Sequence, residues 1–556
     1  MNLFLIGAGG DAETAEHALR SLLERLPFLP GRTVESWRAP SGGAVAAWAQ
    51  HDPEQTGGAR YAAAERERLA LFAGRPIRWT GERTADGGGA IDPASYLAGA
   101  TAAELDGRFV VVRCDDTRGE LDVVTDPVGA YPVYETQVGS ARWVSNSAEL
   151  LRELRGTSDL DPAALAGVLG GGWSLDGHPL WAGVRRVGAG FSAERIAPLL
   201  GGGFDADRAA ALLTAAVAAL ADWPGRPSFV PITGGRDSRL VLAAAKRAGI
   251  AFEAITGGGD DSPDVRLGRR LAQLVDAPHS LIADDPHGSV WSDWRRAAAV
   301  LALTESGTAT LADAAGFPLG PRDGPLPIWH SGQGGEIARS YYGPGEGDLT
   351  DRLTHAFLGR RPGRTDPLSD DGRALVRERI ASWVEAQLGA GIAPVDVPDM
   401  FYLQRRMGTW AGPTHGAVEY VRDTTSPLWS ARLLPDLLGL PASERARQGF
   451  HRGVLERLAP ELVDVPFERT PRLPRKVLGE VRRRLSGLRR GRAADPFGPI
   501  LVEIRDTVLA QPAHPAWAVL DRTRVESLLG SDPASLDTMS RYYAWRLATV
   551  FGGFPG

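Results

Sequence analysis

The residues best placed to do chemistry lie in Ser228–Arg239, which reads Ser-Phe-Val-Pro-Ile-Thr-Gly-Gly-Arg-Asp-Ser-Arg. An apolar run from Phe229 to Ile232 stops at Thr233-Gly234-Gly235, and a helical pattern begins at Ser238. Strand, glycine turn and helix N-terminus in succession form an anion cradle, because unpaired N–H groups and the helix dipole converge there. The glycines let the backbone approach a phosphate closely, and the hydroxyls of Thr233 and Ser238 add hydrogen bonds. Asp237 supplies a carboxylate where Mg2+ would sit on that phosphate. Arg236 and Arg239 flank the turn, either to meet a leaving pyrophosphate or to cover the helix surface. No Gly-x-x-x-x-Gly-Lys-Ser/Thr is present, so this is not a Walker loop.

These residues need a rigid frame, and the flanking sequence predicts one. A second strand is expected at Phe252-Glu-Ala-Ile-Thr, then a helix opened by Ser262-Pro-Asp, an N-cap with proline in the first turn. His279-Ser-Leu-Ile begins a third strand. Alternation of this kind argues a parallel sheet with helices on both faces. An Ala-rich amphipathic helix, about 206 to 223, precedes the frame, and the Gly-rich run from Gly201 is expected to be a linker.

Length and composition bound the rest. A chain of 556 residues exceeds a single core, so two domains, 1–205 and 206–556, are expected. A net charge of −6 offers no basic footprint for nucleic acid, and no apolar run is long enough to span a membrane convincingly. No signal peptide is read at the N-terminus, so a cytoplasmic location is expected. Cys114, the only cysteine, excludes an intrachain disulfide and a cysteine-built zinc site. Lysine occurs only at 246 and 476, and residues 469–492 carry ten basic side chains. That segment reads first as a solvated helix and loop, and second as a basic flap for an acidic peptide, glycan or membrane surface. A homodimer is left open.

Residues 1–205 read as β-rich. Gly107–Asp116 and Glu120–Asp126 are expected to form a hairpin closed by a third strand at Ala141–Ser145, and Asp126–Tyr134 is a turn leading into an aromatic strand. Asp126-Pro-Val-Gly-Ala-Tyr-Pro-Val-Tyr134, Ser145-Asn-Ser-Ala-Glu-Leu-Leu151 and Pro179–Val187 resemble the second half of the glutaminase domain of asparagine synthetase. That resemblance implies an N-terminal Ntn-hydrolase-like β-sandwich. The family's glutaminase needs a cysteine directly after the initiator methionine. Here the residue is Asn2, which has no thiolate to form an acyl-enzyme. Cys114 reads as a buried structural thiol in mid-strand. The domain is therefore expected to be a scaffold without glutamine hydrolysis, a loss shared by β-lactam synthetase and lasso-peptide cyclases.

The second half resembles the ATP-pyrophosphatase domain of the same superfamily. Thr233–Ser238 is similar to its "SGGxDS" loop, Ser262–His279 to its "SPD" segment, and Ser331-Gly-Gln-Gly-Gly-Glu336 to its "SGEGxDE" element. The resemblance implies ATP and Mg2+ as cofactors, with Asp237 and Glu336 holding the metal. It places backbone near Ile232, Ile255 and Gly332 at the adenine, and Ser331 beside the nucleotide. Three features depart from the family. Gln333 stands where asparagine synthetase has a glutamate, and a neutral amide positions a substrate but is no general base. No lysine lies in Arg447–Pro460, which leaves Arg447 or Arg452 to supply its charge. Pro427-Leu-Trp-Ser430 similarly carries Trp429 in place of an aspartate.

The expected activity is adenylation of a small-molecule or peptide carboxylate, with release of pyrophosphate, followed by attack of an amine. Ammonia-dependent asparagine synthesis, lasso-peptide or β-lactam-type cyclisation, and a catalytically decayed ATP-binding scaffold are the alternatives. Tyr341 and Tyr342 line an acceptor pocket or simply pack. Glu419, Arg422 and Asp423 are candidates for substrate recognition. His330, His415 and His451 lack metal-ligand spacing.

Overall fold

A computed structural model describes residues 2–26, 32–50, 52–79, 88–188, 192–223, 225–282, 293–314, 324–359, 366–466 and 497–554. The basic segment 469–492 lies outside these residues. The architecture is mixed α/β, with two antiparallel sheets in the N-terminal part and one parallel sheet in the C-terminal part.

The first antiparallel sheet comprises β1 (Leu3–Ala8), β2 (Val34–Arg38), β3 (Ala44–Ala49), β9 (Tyr134–Val138), β10 (Ala141–Ser145) and β11 (Arg185–Arg186), in the order β11-β9-β10-β1-β3-β2. The second comprises β4 (Ala62–Ala64), β5 (Arg68–Trp79), β6 (Gly88–Ala90), β7 (Leu105–Asp115) and β8 (Glu120–Thr125). Phe4 and Ile6 of β1 share one buried cluster with Leu69, Leu71, Val110 and Val112 of β5 and β7, so the two sheets face each other across an apolar layer. Alternate residues Leu3 and Leu5 point the other way, into a core with Leu19 and Leu22 of the helix Ala12–Arg25.

The hairpin expected at 107–126 is observed as β7 and β8, paired from Val110↔Thr125 to Asp115↔Glu120. The third strand does not close that set. Residues Ala141–Ser145 pair with β1 and β9 in the opposite sheet. The reason lies in the Asp126 turn, whose carboxylate accepts N–H bonds from Val128, Ala130 and Tyr131 and carries the chain across the sandwich. Cys114 is buried in β7, and burial pushes its thiol up to about 11, which suits an inert core side chain.

The parallel sheet contains β12 (Ser228–Pro231), β13 (Glu253–Gly257), β14 (His279–Ile282), β15 (Ile328–His330) and β16 (Asp423–Thr425), in the order β14-β13-β12-β15-β16. The chain runs outward from β12 through β13 to β14 and then returns to the other side of β12. Strands β12 and β15 therefore flank the topological switch point, where an open parallel sheet leaves a crevice at its carboxyl ends. The predicted helices appear as Asp237–Ala248 and Pro263–Leu274, and the Ser262 hydroxyl caps the latter by accepting from Val265 N–H. The Ala-rich helix runs from Ala206 to Ala221. The Gly-rich run before it is pinned rather than loose, since Gly201 and Gly203 donate N–H bonds to Leu438 and Gly439. No helix among the described residues is long and apolar enough to cross a membrane.

Candidate functional site

Both loops that the sequence singles out leave the switch-point strands side by side. Thr233–Arg236 follows β12, and Ser331–Glu336 follows β15. They touch: a Cβ at Gly335 would lie 2.3 Å from Asp237 Oδ1, so only glycine fits there. Asp237 opens its helix and Glu336 lies in a short 3-10 turn, Gly335–Arg339. The two carboxylates share one cation, because Arg339 Nη2 sits 3.2 Å from Asp237 Oδ2 and 3.5 Å from Glu336 Oε1.

The remaining carboxylate oxygens are also engaged. His451 Nε2 lies 2.6 Å from Asp237 Oδ1, and Gly334 N–H donates to Glu336 Oε2 at 2.9 Å. Burial pushes the Asp237 carboxyl up, but the His451 hydrogen bond and the charges of His451 and Arg339 outweigh it, and the net direction is down. Asp237 is thus a carboxylate at neutral pH. Burial, and then the Glu336 charge beside it, push up the phenol of Tyr402, which lies on the helix Tyr402–Ala411, wound as a π-helix.

The glycine turn is bonded within itself. Thr233 N–H donates to Ser238 Oγ at 3.3 Å, Gly234 N–H to Asp264 Oδ1 at 2.6 Å, and Gly235 N–H to Thr233 Oγ1 at 3.1 Å. What remains to meet an anion is the first turn of the helix from Asp237, whose N–H groups have no intrahelical partner, with Arg236 beside it. Arg239 does neither of the jobs expected of it. It is fully buried and donates to the carbonyls of Gly234, Leu462, Val465 and Pro466 at 3.2, 3.4, 2.6 and 2.8 Å. Its role is to clamp the turn to the chain segment 462–466.

At Ile232, the N–H donates to Ile255 O at 2.8 Å and the carbonyl accepts from Thr256 Oγ1 at 2.9 Å. Of the backbone expected at the adenine, the N–H and carbonyl of Ile232 and the carbonyl of Ile255 are thereby engaged within the sheet region. Gly332 packs directly on the Ser238 backbone, and Ser331 Oγ accepts from Gln333 N–H at 3.1 Å. The Gln333 amide oxygen is buried without a protein partner among the described residues.

Among the described residues no ion pair or side-chain hydrogen bond joins Arg447 or Arg452 to these groups. Both are exposed, and Arg452 pairs with Glu456 one turn along its own helix. The side chain that faces inward from that helix, Gly449–Leu458, is His451. Glu419, Asp423 and Arg422 also depart from expectation. Glu419 is buried against Arg108 at 3.5 Å and the Tyr131 hydroxyl at 3.1 Å. Asp423 is buried against Arg75 at 3.3 Å and Arg226 at 2.5 Å. Both acids therefore bind the N-terminal part to the C-terminal part, while Arg422 lies 3.8 Å over the Trp329 ring. Trp429 is buried, stacks on His415 at 4.9 Å and walls Gly334.

The motifs point to neither Arg339 nor Asp264 as a site residue, and His451 enters the sequence reading only as a histidine without metal-ligand spacing. Their only local signal is position: Arg339 is i+3 from Glu336, Asp264 lies in a capped first turn, and His451 falls on the apolar face with Phe450 and Val454. A cavity of about 750 Å³ lies elsewhere, lined by Arg60, Glu65, Asp92 and Trp223, and none of the motif residues contributes to it. Proximity of motifs identifies a candidate site better than volume does. No family model matches the chain, and no curated protein matches it significantly.

Proposed function

We propose that this chain is an ATP-dependent, AMP-forming amide-bond synthetase of the asparagine synthetase superfamily, built on a glutaminase-type domain that does not hydrolyse glutamine. One observation carries the reading: Asp237 and Glu336 leave adjacent strands at the switch point of a parallel sheet and converge on a single cation, Arg339. Two carboxylates suit Mg2+, which keeps waters and takes its other oxygens from phosphates, and among the described residues no group of three acidic, histidine or cysteine side chains makes a fuller ligand set. Asp237 and Glu336 would hold it, and it would neutralise charge on the phosphate chain. Arg339 marks where positive charge is wanted.

The helix N-terminus at Asp237 and the Arg236 guanidinium face the leaving pyrophosphate. A substrate carboxylate oxygen bonds to the α-phosphorus as the α–β bridging P–O bond breaks. An amine then bonds to the acyl carbon, AMP departs with the carboxylate oxygen, and the amine proton passes to solvent. Gln333 accepts a hydrogen bond from the incoming N–H without removing the proton.

A second reading, a decayed ATP-binding scaffold, is favoured by the three internally bonded N–H groups of the turn. ATP–pyrophosphate exchange across a panel of carboxylates, with Mg–ATP binding measured alongside, separates the two. Exchange with at least one carboxylate is expected, reduced about 100- to 1000-fold in Asp237→Asn. Mg–ATP binding without exchange supports the scaffold, and absence of binding overturns both.

A further inference from the structure

Three neighbouring arginines, two buried and one half-buried, are matched to acids or carbonyls. Arg445 is held by Asp396 and Asp399, Arg239 by four carbonyls, and Arg405 by Asp176 at 3.2 Å. Arg406, the next residue along, differs. Its guanidinium lies 4.2 Å over the Trp410 ring and 5.2 Å from the Tyr341 ring, with one long bond of 3.4 Å to the Tyr342 hydroxyl. Among the described residues no carboxylate lies within ion-pairing distance of it. Tyr341, which forms the open side of this box, is 43% exposed.

The box adjoins the carboxylate pair, because the Tyr341 ring lies 5.2 Å from the Arg406 guanidinium and 5.6 Å from that of Arg339, which bridges Asp237 and Glu336. The loop Ser331–Glu336 packs against both: Gly335 approaches Asp237, and Gly334 approaches Met407 and Trp429. Arg406 and Met407 share the π-helix whose Tyr402 lies beside Glu336, and π-wound turns occur disproportionately at functional sites. The buried amide oxygen of Gln333, on the same loop, has no partner among the described residues.

From this juxtaposition we infer that the amine substrate carries a carboxylate, which Arg406 grips between Trp410 and Tyr341 while Gln333 accepts from its N–H. A guanidinium fixed between two rings presents its remaining N–H groups as a fork matched to a planar carboxylate. The nucleophile is then an amino acid rather than ammonia or a simple amine. This inference rests on the synthetase reading for its chemistry, but the binding site stands without it.

The test is saturation-transfer NMR on the full chain with a panel of L-amino acids, each paired with its amide. At least one free acid should bind, and its amide should bind more weakly. Arg406→Gln should weaken the acid about 10- to 100-fold, the range for losing a charged hydrogen-bonded pair, with Mg–ATP affinity unchanged. Arg406→Lys, which keeps charge and most of the packing but not the fork, should recover part of the loss. Equal binding of acids and amides, unchanged binding in both variants, or a tenfold loss of Mg–ATP affinity would each overturn the inference; the last would assign Arg406 to the nucleotide. Acid binding through Arg406 in a wild-type protein that does not bind Mg–ATP would instead refute the synthetase reading alone.

Discussion

Glu305 ends the helix Trp294–Glu305 and is buried between the two parts of the molecule at 3% exposure. Burial pushes its carboxyl up to about 8; the Arg108 charge opposes this and the Glu419 charge adds to it. Arg108 is shared, since its Nη1 lies 3.5 Å from Glu419 and its Nη2 donates to Gly412 O at 3.2 Å. The folded protein therefore keeps a proton on Glu305 that the unfolded chain releases near the ordinary value of 4.5. A carboxyl raised in the folded state contributes stability that is fully present below 4.5 and lost as pH rises to about 8. The loss is about 1.4 kcal/mol per pH unit over that interval, on the order of 3 kcal/mol at neutral pH and 4–5 kcal/mol above pH 8. Glu305→Gln supplies the neutral form at every pH with nearly the same shape. Urea unfolding followed by tryptophan fluorescence, from pH 5 to 9, should show the variant equal to wild type in acid and increasingly more stable above it. The difference should level off past pH 8. A difference independent of pH, or one larger in acid, would refute the assignment of a buried protonated carboxyl.

Arg239→Met should destabilise the segment 459–466 by about 3–5 kcal/mol, because it removes a buried charge-assisted donor and leaves the carbonyls of Val465 and Pro466 unpaired. Hydrogen exchange of that segment should accelerate by two to nearly four orders of magnitude, and unchanged exchange would show that the clamp is not formed. Gly334→Ala should cost about 1–3 kcal/mol, since Gly334 has φ +101° and an added Cβ would lie 2.4 Å from Trp429 Cδ1. Its effect on urea unfolding should be larger than on the unfolding of Gly389→Ala, where nothing lies within 4 Å of the added Cβ.

How far the sequence can be read depends on how far apart the interacting residues lie. The β12–turn–helix unit, the Ser262 cap and the β7–β8 hairpin are contiguous, and their hydrophobic period and turn residues are visible within a dozen positions. Ala141–Ser145 has an equally clear strand pattern, yet its partner is Leu3–Ala8, and nothing in the segment encodes which sheet it joins. Side-chain partnerships are less legible still. His451 meets Asp237 across 214 residues and Arg75 meets Asp423 across 348, and neither pair has a spacing.

The same distance explains why polar residues near a motif were assigned to substrate. Glu419 and Asp423 precede Pro427 in sequence, but the acids are balanced by Arg108, Arg75 and Arg226, which the fold brings from outside that stretch. A buried charge must be paired wherever its partner comes from. Burial together with pairing therefore sorts the charged residues of this half better than proximity to a motif does. Glu419, Asp423, Arg239 and Arg445 are buried and matched within the protein, so they hold the fold. Arg406 is enclosed by rings and lacks an acid among the described residues, which is the pattern of a side chain whose partner arrives with the substrate.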